Sequence, residues 1–254
     1  KKHGIEALCF SDNAILDIIR SYTKESGLRE LERLISKIVR KVVTDKVVEK
    51  KNIRTINSVG KYLGKKIYSQ DICESEVGLS NALFCTIAGG DMIGIESAYY
   101  PGSGNLIITG SIGEEIKESA HIALSYIKSN YKLFDIDYEI FKNDIHINIP
   151  NISMHKDGPS AGVAISTAII SSFTGREVDN NVAMTGEVTL RGNALPIGGL
   201  REKSLAALRS GITTIIVPNE NKKSVEELPK EVKESLKIIY MNNVDDALKV
   251  AIHD

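Results

Sequence analysis

Residues 145–173 read IHINIPNISMHKDGPSAGVAISTAIISSF, and this stretch decides the architecture. Ile145, Ile147 and Ile149 alternate with His146 and Asn148, the period-two pattern of a strand, and Pro150 closes it. A loop rich in polar and punctuating residues runs on to Pro159. From Ala161 to Phe173 the residues are small or apolar throughout, as expected of a buried helix. A strand, a loop and a helix in direct succession predict a mixed fold of α+β (α/β-like) type.

The same alternation extends in both directions. Upstream, short β patterns cover 82–87, 92–98 and 105–109, separated by Gly89-Gly90 and by Pro101-Gly102-Ser103-Gly104, and are expected as antiparallel strands with turns. A helix over 114–130 places Ile116, Ala120, Ala123, Leu124 and Ile127 on one face. Downstream, strands are expected over 182–185, 195–197, 213–217 and 237–240. Helices are expected over 199–209, 224–228 and 244–252, the first stopped by Gly211.

Before residue 52 the pattern is helical only. Ser11 or Asp12 can cap a helix carrying Ile15, Ile18, Ile19 and Tyr22. After Gly27, Leu31, Leu34, Ile35, Ile38 and Val42 trace a second apolar stripe. Residues 52–76 lose this periodicity and read as a connector. The expected division is a small all-α segment at 1–51, a connector at 52–76 and a larger mixed domain at 77–254.

Composition excludes several classes of function. Of 254 residues, 42% are hydrophobic and 26% charged, ordinary values for a globular chain, and 32 basic against 33 acidic residues leave no footprint for nucleic acid. Cys9, Cys73 and Cys85 form no CxxC pair, so neither a zinc site nor a disulfide framework is encoded, and a reducing compartment is expected. No apolar run is long enough to span a membrane. The chain begins Lys1-Lys2-His3-Gly4, with neither a signal-peptide core nor an initiating Met, which suggests a piece of something longer.

Two segments carry candidate chemistry. In 156–162, Ser160 stands at the start of a helix, where unpaired backbone N–H groups and the helix dipole favour a developing oxyanion, and small neighbours admit a substrate backbone. Taken alone, such a serine is equally well an N-cap. In 196–203, PIGGLREK, Lys203 lies one turn into a helix among apolar neighbours. A lysine serves as a base only when neutral, and burial lowers its pKa towards neutrality; the plainer reading is a solvated helix lysine.

Together these segments resemble the Lon family of ATP-dependent proteases, with its KDGPSAG-type serine motif and its GGxxEK-type lysine helix. The resemblance extends over most of 77–254, through Gly89-Gly90-Asp91, residues 101–104, residues 109–114 and residues 183–192. It implies a Lon-type peptidase domain with Ser160 and Lys203 as the catalytic pair, Thr185 aiming the lysine amine, and Asp157 as a switch or positioning residue whose carboxylate could pair with Lys203 and hold it protonated in a resting state. It also implies cleavage of unfolded or damaged proteins through an acyl-enzyme, by a homo-hexamer in the bacterial cytoplasm or, alternatively, the mitochondrial matrix. The chain departs from the family pattern at His155, at 151–154 and at Asn148, where a second histidine besides His146 is common.

Residues 22–33 resemble the small helical subdomain of the family's AAA+ motor, with Arg29 at its nucleotide-sensing position. No GxxxxGK[ST] loop occurs, because Glu202 stands where a glycine must precede Lys203. ATP and Mg are therefore expected in the full-length enzyme, and no cofactor in this segment. Two rivals remain. Gly158-Pro159-Ser160-Ala161-Gly162 also fits the GxSxG elbow of α/β-hydrolase esterases, and a non-catalytic oligomerisation module could keep the same fold.

Overall fold

A computed structural model describes residues 8–23, 27–48, 53–67, 75–86, 89–150 and 156–253. The chain divides into two compact units, Lys1–Asp71 and Ile72–Asp254. No helix among the described residues is long and apolar enough to cross a membrane.

The first unit is built on helices α1 (Asp12–Tyr22) and α2 (Arg29–Val48). Ser11 caps α1, its side chain accepting from Ala14 N at 3.2 Å. Ala14, Ile18 and Tyr22 from α1 and Leu34, Ile38 and Val42 from α2 recur every four residues and form one buried stripe each. Part of the expected connector is folded onto these stripes. Thr55–Ile56 pairs in parallel with Cys9–Phe10, the turn Gly60–Leu63 follows, and Ile56, Val59 and Tyr62 complete the core. Apolar residues scattered through an irregular segment have no period to read. What holds them is tertiary: Tyr22 Oη donates to Gly64 O at 2.7 Å, and Lys41 Nζ to Tyr62 O at 2.6 Å.

The second unit contains a seven-stranded sheet of β1 (Leu79–Thr86), β2 (Gly89–Tyr100), β3 (Leu106–Thr109), β4 (Asp144–Asn148), β5 (Val182–Met184), β6 (Thr214–Pro218) and β7 (Lys237–Met241). Their order is β7-β6-β5-β1-β2-β4-β3. The pairs β7/β6, β6/β5, β5/β1 and β4/β3 are parallel, whereas β1/β2 and β2/β4 are antiparallel. The antiparallel expectation thus holds for β1 and β2 but not for β3. Helix α3 (Glu114–Ser129) intervenes before the chain returns as β4, and a crossover of that kind delivers a parallel neighbour.

Alternation along the strands separates two cores. Ala82, Phe84, Met184 and Ile216 face one cluster, covered by α3, α4 (Gly162–Thr174) and α6 (Val244–Ala251). Leu83, Ala183, Ile215 and Val217 face the other, covered by α5 (Leu200–Arg209) and the short helices Lys222–Glu226 and Lys230–Ser235. Helix α4 is buried nearly all round, as its uniform apolar sequence requires, and ends at Gly175 in the left-handed conformation. The sheet therefore lies between α4 on one face and α5 on the other, and the two helices bring Ser160 and Lys203 towards the same end of β5.

Candidate active site

Ser160 lies in the 3-10 turn Pro159–Ala161 that leads into α4. The continuation of β5 clamps this turn. Gly186 N donates to Ser160 O at 2.9 Å, and Val163 N donates to Gly186 O at 3.1 Å. A side chain at 186 would prevent this approach, since a Cβ there would sit 2.6 Å from Met241 Cε and 2.8 Å from Val163 Cγ2. Gly162 N is also engaged, with Pro159 O. The helix-end donors expected for an oxyanion are thereby narrowed to amides before Gly162.

Lys203 lies in the first turn of α5. The loop before it is held by Asn221, which is 3% exposed; its Oδ1 accepts from Ile197 N at 3.0 Å and its Nδ2 donates to Ile197 O at 2.8 Å. On the other side of the helix, Arg209 Nη2 donates to Gly90 O, and a Cβ on Gly90 would run into Glu202 O. Glycine at 90 is what lets the β1–β2 hairpin support the lysine-bearing turn.

These supports bring the two residues together. Lys203 Nζ stands 2.9 Å from Ser160 Oγ and 3.0 Å from Thr185 Oγ1. The lysine is 2% exposed and Thr185 fully buried. Burial pushes the Lys203 amine down from 10.5 to about 8, because its ammonium form has lost its water. Thr185 Oγ1 donates to Ser160 O at 3.3 Å, so its lone pairs face the amine and take an N–H from it. In the neutral amine the remaining lone pair is then free to accept from the Ser160 hydroxyl. The implied aiming role of Thr185 fits this geometry.

The expected pairing of Asp157 with Lys203 is not what is found. Asp157 Oδ1 accepts from Glu115 N at 3.1 Å, Ile116 N at 3.4 Å and its neighbour Gly158 N at 3.0 Å. It caps α3, where the unpaired backbone donors of a helix start and the helix dipole attract a carboxylate. Lys156, 3% exposed, donates from Nζ to Gly110 O at 2.7 Å. His146 Nε2 lies 3.0 Å from Thr109 Oγ1, and Asn148 Oδ1 accepts from the same hydroxyl at 2.9 Å. His155 and 151–154 lie outside the described residues. Sequence reasoning gave no role to Gly186, Gly90 or the 110–116 segment; each acts by close approach across the fold, which only the glycines hinted at.

The esterase elbow finds little support in this arrangement. β4 ends at Asn148, well before Ser160, and Ser160 Oγ is met by a lysine. His146 bonds to Thr109, and His253 Nε2 lies 3.8 Å from Asp179.

Residues 53–254 match the family model of the Lon protease (S16) C-terminal proteolytic domain, and residues 1–56 match the Lon protease AAA+ ATPase lid domain. The chain is similar to a Lon protease of Dictyoglomus thermophilum, 46% identical over 99% of this chain and 33% of that protein. It is also similar to Lon protease 1 of Bacillus subtilis, 44% identical over 99% of this chain and 34% of that protein. A Lon protease of Mycoplasma genitalium is 46% identical over 95% of this chain and 31% of that protein. The chain thus spans about a third of the length of these curated relatives. With the proteolytic-domain match covering everything from residue 53 onwards, this chain belongs to the Lon protease family.

Proposed function

We propose that this chain hydrolyses peptide bonds with Ser160 as nucleophile and Lys203 as general base. The observation that carries the reading is the 2.9 Å contact between Ser160 Oγ and the amine of a lysine that is 2% exposed. Neutral Lys203 takes the Ser160 proton as Oγ attacks the peptide carbonyl, and the resulting ammonium returns it to the leaving amine. Water then hydrolyses the ester, with Lys203 again taking and giving the proton. A buried lysine aimed at a hydroxyl also speaks against a non-catalytic module, because burying an amine is costly unless it has a task.

The full-length protein would act on unfolded or damaged proteins as an ATP-driven homo-hexamer in the bacterial cytoplasm. ATP would be bound by parts of the full-length protein that carry the GxxxxGK[ST] loop absent from this sequence. Arg29, exposed at the start of α2, is what this segment would offer to nucleotide bound elsewhere.

A pH profile tests the base. With Lys203 at about 8, the neutral form falls about tenfold per pH unit below that value. Cleavage of a short peptide should therefore show kcat/KM rising with that slope from pH 6 and levelling above about 8. A profile flat from pH 6 to 9 would contradict Lys203 as base.

A further inference from the structure

We infer that Asn221 is a positioning residue for the proposed reaction, which ties the lead-in of α5 to the end of β6 and so sets where the Lys203 amine stands beside Ser160. The inference rests on the Ser160/Lys203 reading above. Between Leu195, which pairs with Glu187, and Leu200, where α5 starts, the chain runs through Pro196, Ile197, Gly198 and Gly199. Pro196, Gly198 and Gly199 are exposed, and the two glycines lend the segment no stiffness of their own. Among the described residues its hydrogen-bonded ties to other elements are the pair between Asn221 and Ile197 and a weaker contact, Cys85 Sγ to Gly199 O at 3.5 Å. A primary amide suits this task, because it accepts from the N–H and donates to the C=O of one residue as a neighbouring strand would. A single short hydroxyl does not span both groups, and a methyl offers neither bond.

Asn221 ends the 3-10 turn Asn219–Asn221 that follows β6 directly. The same run of chain supports the rest of the site. Ile216 O accepts from Thr185 N at 3.1 Å. Pro218 Cγ lies 3.5 Å from where a Cβ would stand on Gly186, the residue that clamps the Ser160 turn. From Ile216 to Asn221 the chain thus meets the threonine, the serine turn and the approach to the lysine helix in succession. Asn221 is 3% exposed, so its removal would leave two main-chain groups of Ile197 without partners in a nearly dry place. Water drawn in to satisfy them, or a shift of the segment, would reach the first turn of α5 within a few residues.

In the full protein, kcat and KM for a short peptide, the pH profile and denaturant unfolding would be measured for Asn221→Ala, Asn221→Ser and Ile127→Val, with Ser160→Ala alongside. Ile127 is fully buried near the end of α3, in the core on the other face of the sheet, so Ile127→Val reports what lost stability does by itself. Asn221→Ala is expected to lower kcat by roughly 10- to 100-fold with KM within about twofold, since a displacement on the order of 1 Å at a reacting group is enough for such a loss. Its basic limb should move to higher pH by about 0.5 unit or more, because water reaching the amine favours the ammonium. Cys85 of β1, whose charge also acts on the amine, is the same in every variant. Asn221→Ser should change both quantities in the same direction by less. Ile127→Val should lower the unfolding midpoint and leave kcat and the limb in place. Should Asn221→Ala fail to fold, Asn221→Ser decides. Full kcat, or a lowered kcat with the limb unmoved, in a folded Asn221 variant would overturn the inference. Equal losses in Ile127→Val would do the same, as would failure of both Asn221 variants to fold, which would make Asn221 a residue of the fold alone. If Ser160→Ala still cleaves, the protease reading itself fails; if Ser160→Ala is inert and the others behave otherwise than expected, only the role of Asn221 is lost.

Discussion

Lys203→Met is expected to stop peptide cleavage, lowering kcat/KM by about 10³-fold or more, and at the same time to stabilise the unit that contains it. The loss follows from removing the group beside Ser160 Oγ that can take its proton. The gain follows from what the native lysine costs. A pKa lowered from 10.5 to about 8 corresponds to about 3 kcal/mol of disfavoured charge in the folded state. Methionine fills similar space without a charge, Thr185 keeps its bond to Ser160 O, and Ser160 is partly open to water. The sign of the pH dependence is fixed. Below pH 8 the native lysine is protonated in both folded and unfolded chains, and the full cost is present. Between about 8 and 10.5 the unfolded chain binds more proton, so native stability rises with pH and the advantage of Met shrinks. Denaturant unfolding of both proteins at pH 7 and pH 10 measures this. A Met variant less stable than the native protein at pH 7 would contradict the buried-amine account.

Ser160→Ala is expected to remove cleavage at least as completely, by on the order of 10³- to 10⁶-fold, while leaving stability within about 0.5 kcal/mol. The turn is held through the backbone of Ser160, with Gly186 N and Thr185 Oγ1 both donating to its carbonyl, and alanine keeps that carbonyl. The hydroxyl is lost from one partner only, since Lys203 retains Thr185. Because nucleophile and base act in one step, the double variant Ser160→Ala with Lys203→Met should be no slower than the worse single variant. Peptide hydrolysis by all three, with unfolding curves alongside, provides the check; additive losses would mean that the two residues serve separate steps.

Much of this was legible in the sequence because the relevant signals are local. Ile145, Ile147 and Ile149 announce a strand by alternation, and the uninterrupted apolar run after Ala161 announces a helix buried all round. Ser160 and Lys203 were found through motifs whose small residues place each at a helix start. The parts missed were set by long-range contact. Ile56, Val59 and Tyr62 belong to a core but sit in a segment without period, so 53–67 read as connector. The pairing of β3 depended on the path of the chain after α3, which alternation does not encode. The resemblance offers Asp157 as a switch or positioning residue whose carboxylate could pair with Lys203. Nothing in its neighbours shows that the donors of α3 lie within 3.1 to 3.4 Å of its carboxylate.

The central claim, that Ser160 is acylated with Lys203 as its base, is tested most directly by trapping the ester. Mixing the protein with a slowly hydrolysed activated peptide ester, quenching in acid and mapping the adduct by mass spectrometry locates the acyl group. The account predicts the acyl mass on the fragment containing Ser160, and its absence in Lys203→Met. An adduct confined to another nucleophile, such as the exposed thiol of Cys85 whose sulfur lies 3.5 Å from Gly199 O, with Ser160 unmodified, would contradict it.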